Sequence, residues 1–424
     1  MARYIVSSGR AIDRSAGSPP ATRLSGRSHS ASLLRRSVVR KGVGGLERLG
    51  GFRRLGSQTI IGMDIDRGAL KAVQLAKGGG NYTLRHVGYH RLPPGAIIEG
   101  EVADHDLLAA EIKEFWSSHS FKGKSVVLGV ANQRVVVRLL NFPHMEEEDL
   151  RSAISFEAQD HIPMALDEAV LDYVVLGPQA EGSDLDRILV VAAHKEMVGG
   201  YTSAVRAGGL RTVGVDVKAL SLTRSTFPDA FFDEGATLLL DVGTELTNLV
   251  IVQGGSPTLT RFIPMGLDDL VRAVSEAADL PEEEAEKRTL DPQVRLGYEP
   301  GDAGEERDAE EPPPEEEDFD PALIYDVRRG LEEAVQTLVE DVQRSIEYHH
   351  SQPESREVSQ VLVSGEGALV AGFDVYLGEL LGVPTHRGNP VGKLAANRSN
   401  VSDEQLRAME PVLAVAFGLA MEEE

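Results

Sequence analysis

Two aspartates stand at matching places in the chain. Asp64 is the next-to-last residue of the apolar run TIIGMDI and Asp241 that of TLLLDV, and each run is followed at once by a turn and a second apolar run. A turn that presents successive backbone N–H groups can cradle phosphate oxygens, and a carboxylate at the strand end can hold a hydrated magnesium ion against them. Two such turns facing each other would grip a nucleoside triphosphate. The second turn carries Gly243 and Thr244, with Thr247 beyond them; the first carries Asp66, Arg67 and Gly68, with Lys71 following. A third turn, Gly365-Glu366-Gly367, separates the apolar run VLVS from a helical pattern. Either aspartate alone would be an ordinary strand-end residue, so the functional reading rests on the pair together with the third turn. His349 and His350 have no cysteine in the chain and no histidine at a matching helical spacing, so they read as surface residues and not as metal ligands.

The elements that must position these residues follow from apolar spacing. QTIIGMDID and ALKAVQLA form a hairpin turning near 66–68, and YTLRHVGYHRL gives a third strand after three glycines. Leu107, Leu108, Ile112, Phe115 and Trp116 share one face of a helix over 104–119, and SVVLGV then reads as a buried strand. That order implies a mixed α/β sheet. RVVVRLLNFP, an amphipathic helix over 145–162 with Leu150, Ile154, Phe156 and Ala158 among its apolar positions, VLDYVVLG and RILVVAAH together read as a small inserted subdomain. After a helix near 195–207, TLLLDVGTELTNLVIVQGG repeats the first strand–turn–strand unit. An internal echo of this kind implies two α/β lobes facing each other across a cleft. A long helix starting at Pro321 lines up Ile324, Val327, Leu331, Val335, Leu338, Val342 and Ile346.

Composition narrows the function classes. At 424 residues, with 42% hydrophobic and 26% charged residues, the chain has room for more than one core. No apolar run reaches the length needed to cross a bilayer, and no secretory signal is visible at the start. With 0 cysteines there is no disulfide framework and no thiolate metal site. Residues 1–57 hold 12 Lys and Arg against Asp13 and Glu47, so the remainder is more acidic than the net −24 of the whole and should repel nucleic acid. The basic stretch is expected to be a disordered arm, the one part suited to an anionic lipid surface or nucleic acid. Residues 299–320, rich in Glu, Asp and Pro, are expected to form a solvated loop.

The motifs resemble the actin, Hsp70 and sugar-kinase superfamily, whose phosphate loops read Asp-x-Gly and Asp-x-Gly-x-x-x-Thr and whose adenosine motif is similar to VLVSGEGALVAGFDVYLGELLGVPT. Within it the chain resembles the PilM family of type IV pilus proteins, through EEDLRSAISFEAQDHIP, VLDYVVLG, GGLRTVGVDVKAL and EPVLAVAFGLAMEEE, over about Gln58 to Ala420. The resemblance implies an actin-like two-lobed α/β fold built of duplicated ribonuclease H-like domains, with a small subdomain inserted in the first lobe. The expected spans are 58–132 and 196–235 for the first lobe, 133–195 for the insert and 236–420 for the second lobe. It further implies ATP and Mg2+ as cofactors. Asp64 and Asp241 would be the magnesium-side carboxylates. Gly243 and Thr247 would contact the phosphates, Gly365 and Gly367 would lie beside the nucleoside and Glu284 with Lys287 on the ribose, and Gly68, Lys71 and Thr244 would complete the cofactor-binding set. Two departures stand out: Asp66 replaces the glycine of the first loop, and Glu366 the central glycine of the third turn. Both put a carboxylate where phosphates would sit, which Coulomb repulsion opposes.

The function so implied is that of an adaptor with little or no turnover, cytoplasmic and peripheral at the inner face of the membrane. It would bind the N-terminal tail of PilN and meet other pilus platform and motor proteins; the helix of Ile154, Phe156 and Ile162 would either line the groove for that tail beside the inserted subdomain or pack as core. Self-association is left open. A sugar-kinase-like phosphotransferase and an FtsA-like division protein are the alternatives; the absence of a basic amphipathic helix at the end of the chain disfavours the second.

Overall fold

The computed structural model describes residues 59–78, 81–179, 182–226, 235–297 and 321–421. The basic arm and the acidic Pro-rich segment lie outside the described residues. The first sheet begins with an antiparallel meander: β1 (Thr59–Ile65), β2 (Ala69–Gly78) and β3 (Asn81–Arg91). Two short strands, β4 (Ile97–Ile98) and β5 (Glu101–Val102), lead into α1 (His105–Ser118), whose N-cap Asp104 accepts from the N–H groups of Asp106 and Leu107. β6 (Ser125–Val130) then runs parallel to β1.

The chain leaves this sheet to build a smaller one from β7 (Val135–Pro143), β8 (Ala169–Pro178) and β9 (Leu185–His194), in order β7-β9-β8, with α2 (Glu147–His161) between the first two. Alternation along these strands explains their placement. Val136, Ile188, Val190 and Ala192 meet Leu150, Ile154 and Ala158 of α2, while Val135, Val137, Leu189 and Val191 join the core of the first lobe. Phe156 does not share the buried face expected for it. It lies two residues, or about 200°, round the helix from Ile154 and is 74% exposed. The chain returns through α3 (Lys195–Ala207), β10 (Arg211–Val217), which runs parallel to β6, and α4 (Lys218–Thr226).

The second sheet repeats the first. β11 (Ala236–Val242), β12 (Thr247–Gln253) and β13 (Ser256–Ile263) form an antiparallel meander, followed by α5 (Leu267–Ala278), α6 (Glu282–Thr289) and the long α7 (Pro321–His350). β14 (Val358–Ser364) joins parallel to β11. Then come α8 (Phe373–Leu381) and β15 (Thr385–Arg387). Strand orders are β3-β2-β1-β6-β10 and β13-β12-β11-β14-β15, one design used twice, as an actin-like fold requires. β11 is buried along its whole length, which is why its sequence is an unbroken apolar run.

The expected second-lobe span of 236–420 is corrected at its end. β16 (Leu394–Asn397) pairs with β3 in the first sheet, and α9 (Asp403–Ala420) packs on β1, β2 and α4. The helix turns Leu413, Ala416, Phe417 and Ala420 against Val73, Leu75, Leu84 and Val87, so this closing segment completes the core of the first lobe. His349, expected at the surface, is buried, and its ring Nε2 contacts the Arg356 carbonyl at 3.0 Å. Its neighbour His350 is exposed. Among the described residues no helix is long and apolar enough to cross a membrane.

Candidate functional site

The β1–β2 and β11–β12 hairpins converge. In the first, antiparallel register sets Asp64 opposite Lys71; in the second, the same register sets Asp241 opposite Asn248. Each turn is closed by its own backbone, Asp66 N–H to the Ala69 carbonyl at 2.9 Å and Gly243 N–H to the Leu246 carbonyl at 3.0 Å. The start of α5 hangs on the second turn: Leu267 and Asp268 donate to the carbonyls of Gly243 and Thr244.

Between the turns lies a cluster of four carboxylates and two lysines. Lys71 Nζ is 2.6 Å from Glu366 Oε1, 3.5 Å from Asp64 Oδ2 and 3.9 Å from Asp66 Oδ2. Lys218 Nζ is 2.7 Å from Asp64 Oδ1 and 2.9 Å from the Ile65 carbonyl. Asn248 donates to Asp241 Oδ2 at 3.0 Å. Asp64, Lys71, Lys218, Asp241 and Glu366 are all buried. Asp66 reaches across to the second turn: its Oδ1 accepts from the Arg67 N–H at 2.8 Å and its Oδ2 from the Thr244 N–H at 3.4 Å.

Burial and charge push these groups in different directions. Burial alone would raise the Asp66 carboxyl, but Lys218, Lys71 and the two backbone N–H groups hold it below the usual carboxylate value. Burial raises Glu366 against the pull of Lys71. Burial lifts Asp241 to about 7, with Asp64 and Glu366 adding to the rise against Lys71 and Lys218. Lys71 is held well above its ordinary value by Glu366, Asp64, Asp66 and Asp241, although burial works against it. Burial is the main cause of the rise at Asp241 and Glu366, and the neighbouring carboxylates add to it against the two lysines.

The structure brings Asp64, Gly68, Lys71, Asp241, Gly243 and Thr244 together, with Gly68 packed against the Thr244 side chain. Thr247 sits differently from its expected role: its hydroxyl is buried and donates to the Met265 carbonyl at 2.7 Å. Gly365 and Gly367 flank this site for reasons of packing. A Cβ on Gly365, whose φ is 86°, would meet the Val242 carbonyl oxygen at 2.3 Å, and one on Gly367 would meet Val242 Cγ1 at 2.4 Å. Glu284 and Lys287 do not pair with each other; they pair along α6 with Arg288 and Glu283. Sequence reasoning misses Lys218. Its signal is a lone lysine between the buried strand β10 and the wholly buried α4.

ATP and Mg2+ are the groups that the resemblance implies for these residues. Asp64 and Asp241 would hold the metal and the turn of Gly243 and Thr244 the phosphates. In this arrangement they do not fit. The Thr244 N–H already points to Asp66, the Lys71 ammonium to Glu366, and Asp64 is taken by two lysines. A cavity of about 10 Å³, room for one water molecule, lies beside Ile65, Asp66, Gly100, Tyr201, Lys218 and Asn248.

Comparison with known proteins then places the chain. The family model described as "Type IV pilus assembly protein PilM" matches residues 62–300 and 327–424. The PilM structure of a PilM–PilN type IV pilus biogenesis complex is similar at 27% identity, covering 87% of this chain and 100% of that one, with a TM-score of 0.71. The ethanolamine utilization protein EutJ from Carboxydothermus hydrogenoformans is similar at 12% identity over 88% of this chain and 92% of that one, TM-score 0.48. MreB5 of Spiroplasma citri bound to ADP is similar at 13% over 85% and 94%, TM-score 0.45. The chain therefore belongs to the PilM family of type IV pilus assembly proteins.

Proposed function

We propose that this chain is an adaptor of the type IV pilus assembly platform that binds the N-terminal cytoplasmic tail of a PilN-type membrane protein. Through that tail it would sit at the inner face of the cytoplasmic membrane, in reach of other platform and motor proteins. The observation that carries this is the likeness to the PilM of a PilM–PilN complex over the whole of that chain. The inserted subdomain would offer a surface for the contact: Phe156 projects from α2 on the side away from buried Ile154. An exposed aromatic of this size is the kind of residue that anchors a peptide.

The reading is of a binding protein, and it does not depend on nucleotide turnover. Its test is calorimetric titration of a synthetic peptide of the cognate PilN tail into the full chain. Saturable micromolar binding is expected, weakened several-fold in Phe156→Ala. No heat from the wild-type chain at any peptide concentration would end this reading.

A further inference from the structure

The contacts across the cleft are reciprocal. Asp66, from the first lobe, sends its carboxylate to the Thr244 N–H of the second; Glu366, from the second lobe, sends its carboxylate to Lys71 of the first. The second turn is shaped to receive the first turn's acid. A Cβ on Gly243 would lie 2.7 Å from Asp66 Oδ2, so only a glycine there lets the carboxylate in. The same seam is tied further out by Arg67 with Asp268, and by Arg91 with Glu286 at 2.8 Å.

From this geometry we infer that Asp66 and Glu366 are built-in anions that hold the two lobes closed on each other, so that the cleft is set without a nucleotide and takes no nucleoside triphosphate. The two acids sit on the donors that a polyphosphate would need, the Thr244 amide and the Lys71 ammonium. A triphosphate would have to displace both and add its own charge to a buried set already holding four carboxylates and two lysines. The groups facing this seam from every element packed on it are Asp64, Asp66, Arg67 and Lys71 of the first hairpin and Lys218 and Tyr201 of α4 and α3. From the second lobe they are Asp241, Asn248 and Glu366. The closing anion is thus part of the chain.

The inference rests on the actin-like fold and not on the PilN reading, and its test keeps the two apart. Melting of the full chain is followed with ATP and Mg2+ from zero to millimolar, beside hydrogen exchange of the two turns without nucleotide. A site that binds only the folded state must raise the melting temperature as it fills. The wild type is expected to show no shift and protected turns. Asp66→Gly with Glu366→Gly is expected to exchange at least tenfold faster at both turns and to gain a saturable ATP shift. Should that variant not fold, Asp66→Asn with Glu366→Gln keeps the shapes, removes the charges, and is expected to show the same faster exchange. A saturable ATP shift in the wild type overturns the inference. So does a folded variant of either kind whose turns stay as protected as the wild type's. PilN-tail binding measured on the same wild-type sample reports on the adaptor reading alone.

Discussion

The two hairpins share a register and differ at two positions that matter. Both carry an aspartate one residue before the end of their first strand and turn within a few residues, and both fix the cross-strand neighbour of that aspartate by register. In the first hairpin the neighbour is Lys71 and the turn carries Asp66; in the second the neighbour is Asn248 and the turn carries Gly243. The first supplies charge and the second supplies room. A duplicated fold therefore does not yield a symmetric site here: one copy has become the plug and the other the socket. If this asymmetry governs the cleft, matched changes in the two hairpins must have unequal effects.

The largest effect should come from the neighbour position. Lys71 touches Glu366 and stands within 4 Å of Asp64 and Asp66, and Lys71, Asp64 and Glu366 are buried. Removing one partner of a buried ionic set costs about 3–5 kcal/mol, because the remaining charges are left unpaired. Lys71→Met should lose that much in denaturant unfolding. The matched change in the other hairpin, Asn248→Ala, removes one hydrogen bond to Asp241 and should cost only about 1–3 kcal/mol. Equal losses at the two positions would break the comparison.

Asp241 and Asp66 should differ in their response to pH. Asp241 is raised from 3.8 to about 7 by burial, so the folded state holds its proton where the unfolded state has released it. The sign is that stability falls as pH rises from about 4 to 7 on account of this group, and the full penalty is present above 7. Asp241→Asn removes the titration. The variant should gain on the wild type across that window, by about 2–4 kcal/mol at pH 8 and by little at pH 4. Asp66, held below its ordinary value, works the other way: its contribution is present above about pH 4 and is lost as pH falls further. A variant-minus-wild-type difference that stays flat between pH 4 and 8 would show that burial does not raise Asp241.

The socket itself can be closed. Gly243→Ala would put a Cβ 2.7 Å from Asp66 Oδ2 and 2.9 Å from the Leu246 carbonyl oxygen, and the second of these is backbone that cannot swing aside. A loss of about 1–3 kcal/mol is expected from such overpacking. In an Asp66→Gly background the first clash is gone, so the cost of Gly243→Ala should shrink. A double-mutant cycle reads that coupling directly. Additive losses would mean that Asp66 and Gly243 do not meet.

Much of this site is legible in the sequence, and the limits are physical. The hairpins, their aspartates and the repeat follow from apolar runs and turn residues, which are local signals. Asp66 and Glu366 stand out as departures because each replaces a glycine in a turn. What local signals do not carry is who partners whom: Lys218 enters from α4, more than 150 residues from Asp64, and only the packed fold brings it in. Thr247 looks like a ligand-facing hydroxyl until the Met265 carbonyl is seen to take it. The closing segment 394–420 reads as a continuation of the second lobe because nothing in it announces pairing with β3, a strand some 300 residues earlier. Residue type alone puts Phe156 on the apolar face, where helical phase puts it outside.

The smallest effect marks the edge of the seam. Arg91 pairs with Glu286 across the same cleft at 2.8 Å, but its side chain is 67% exposed. Solvent and salt screen such a pair, and exposed ion pairs contribute about 0.2–1 kcal/mol. Arg91→Ala should therefore lower stability by about 0.5 kcal/mol or less and leave exchange at the two turns unchanged, and the small loss should vanish in high salt. If instead Arg91→Ala loosened the turns as much as Asp66→Asn does, closure would be spread along the whole seam, and the plug and socket would be one contact among many.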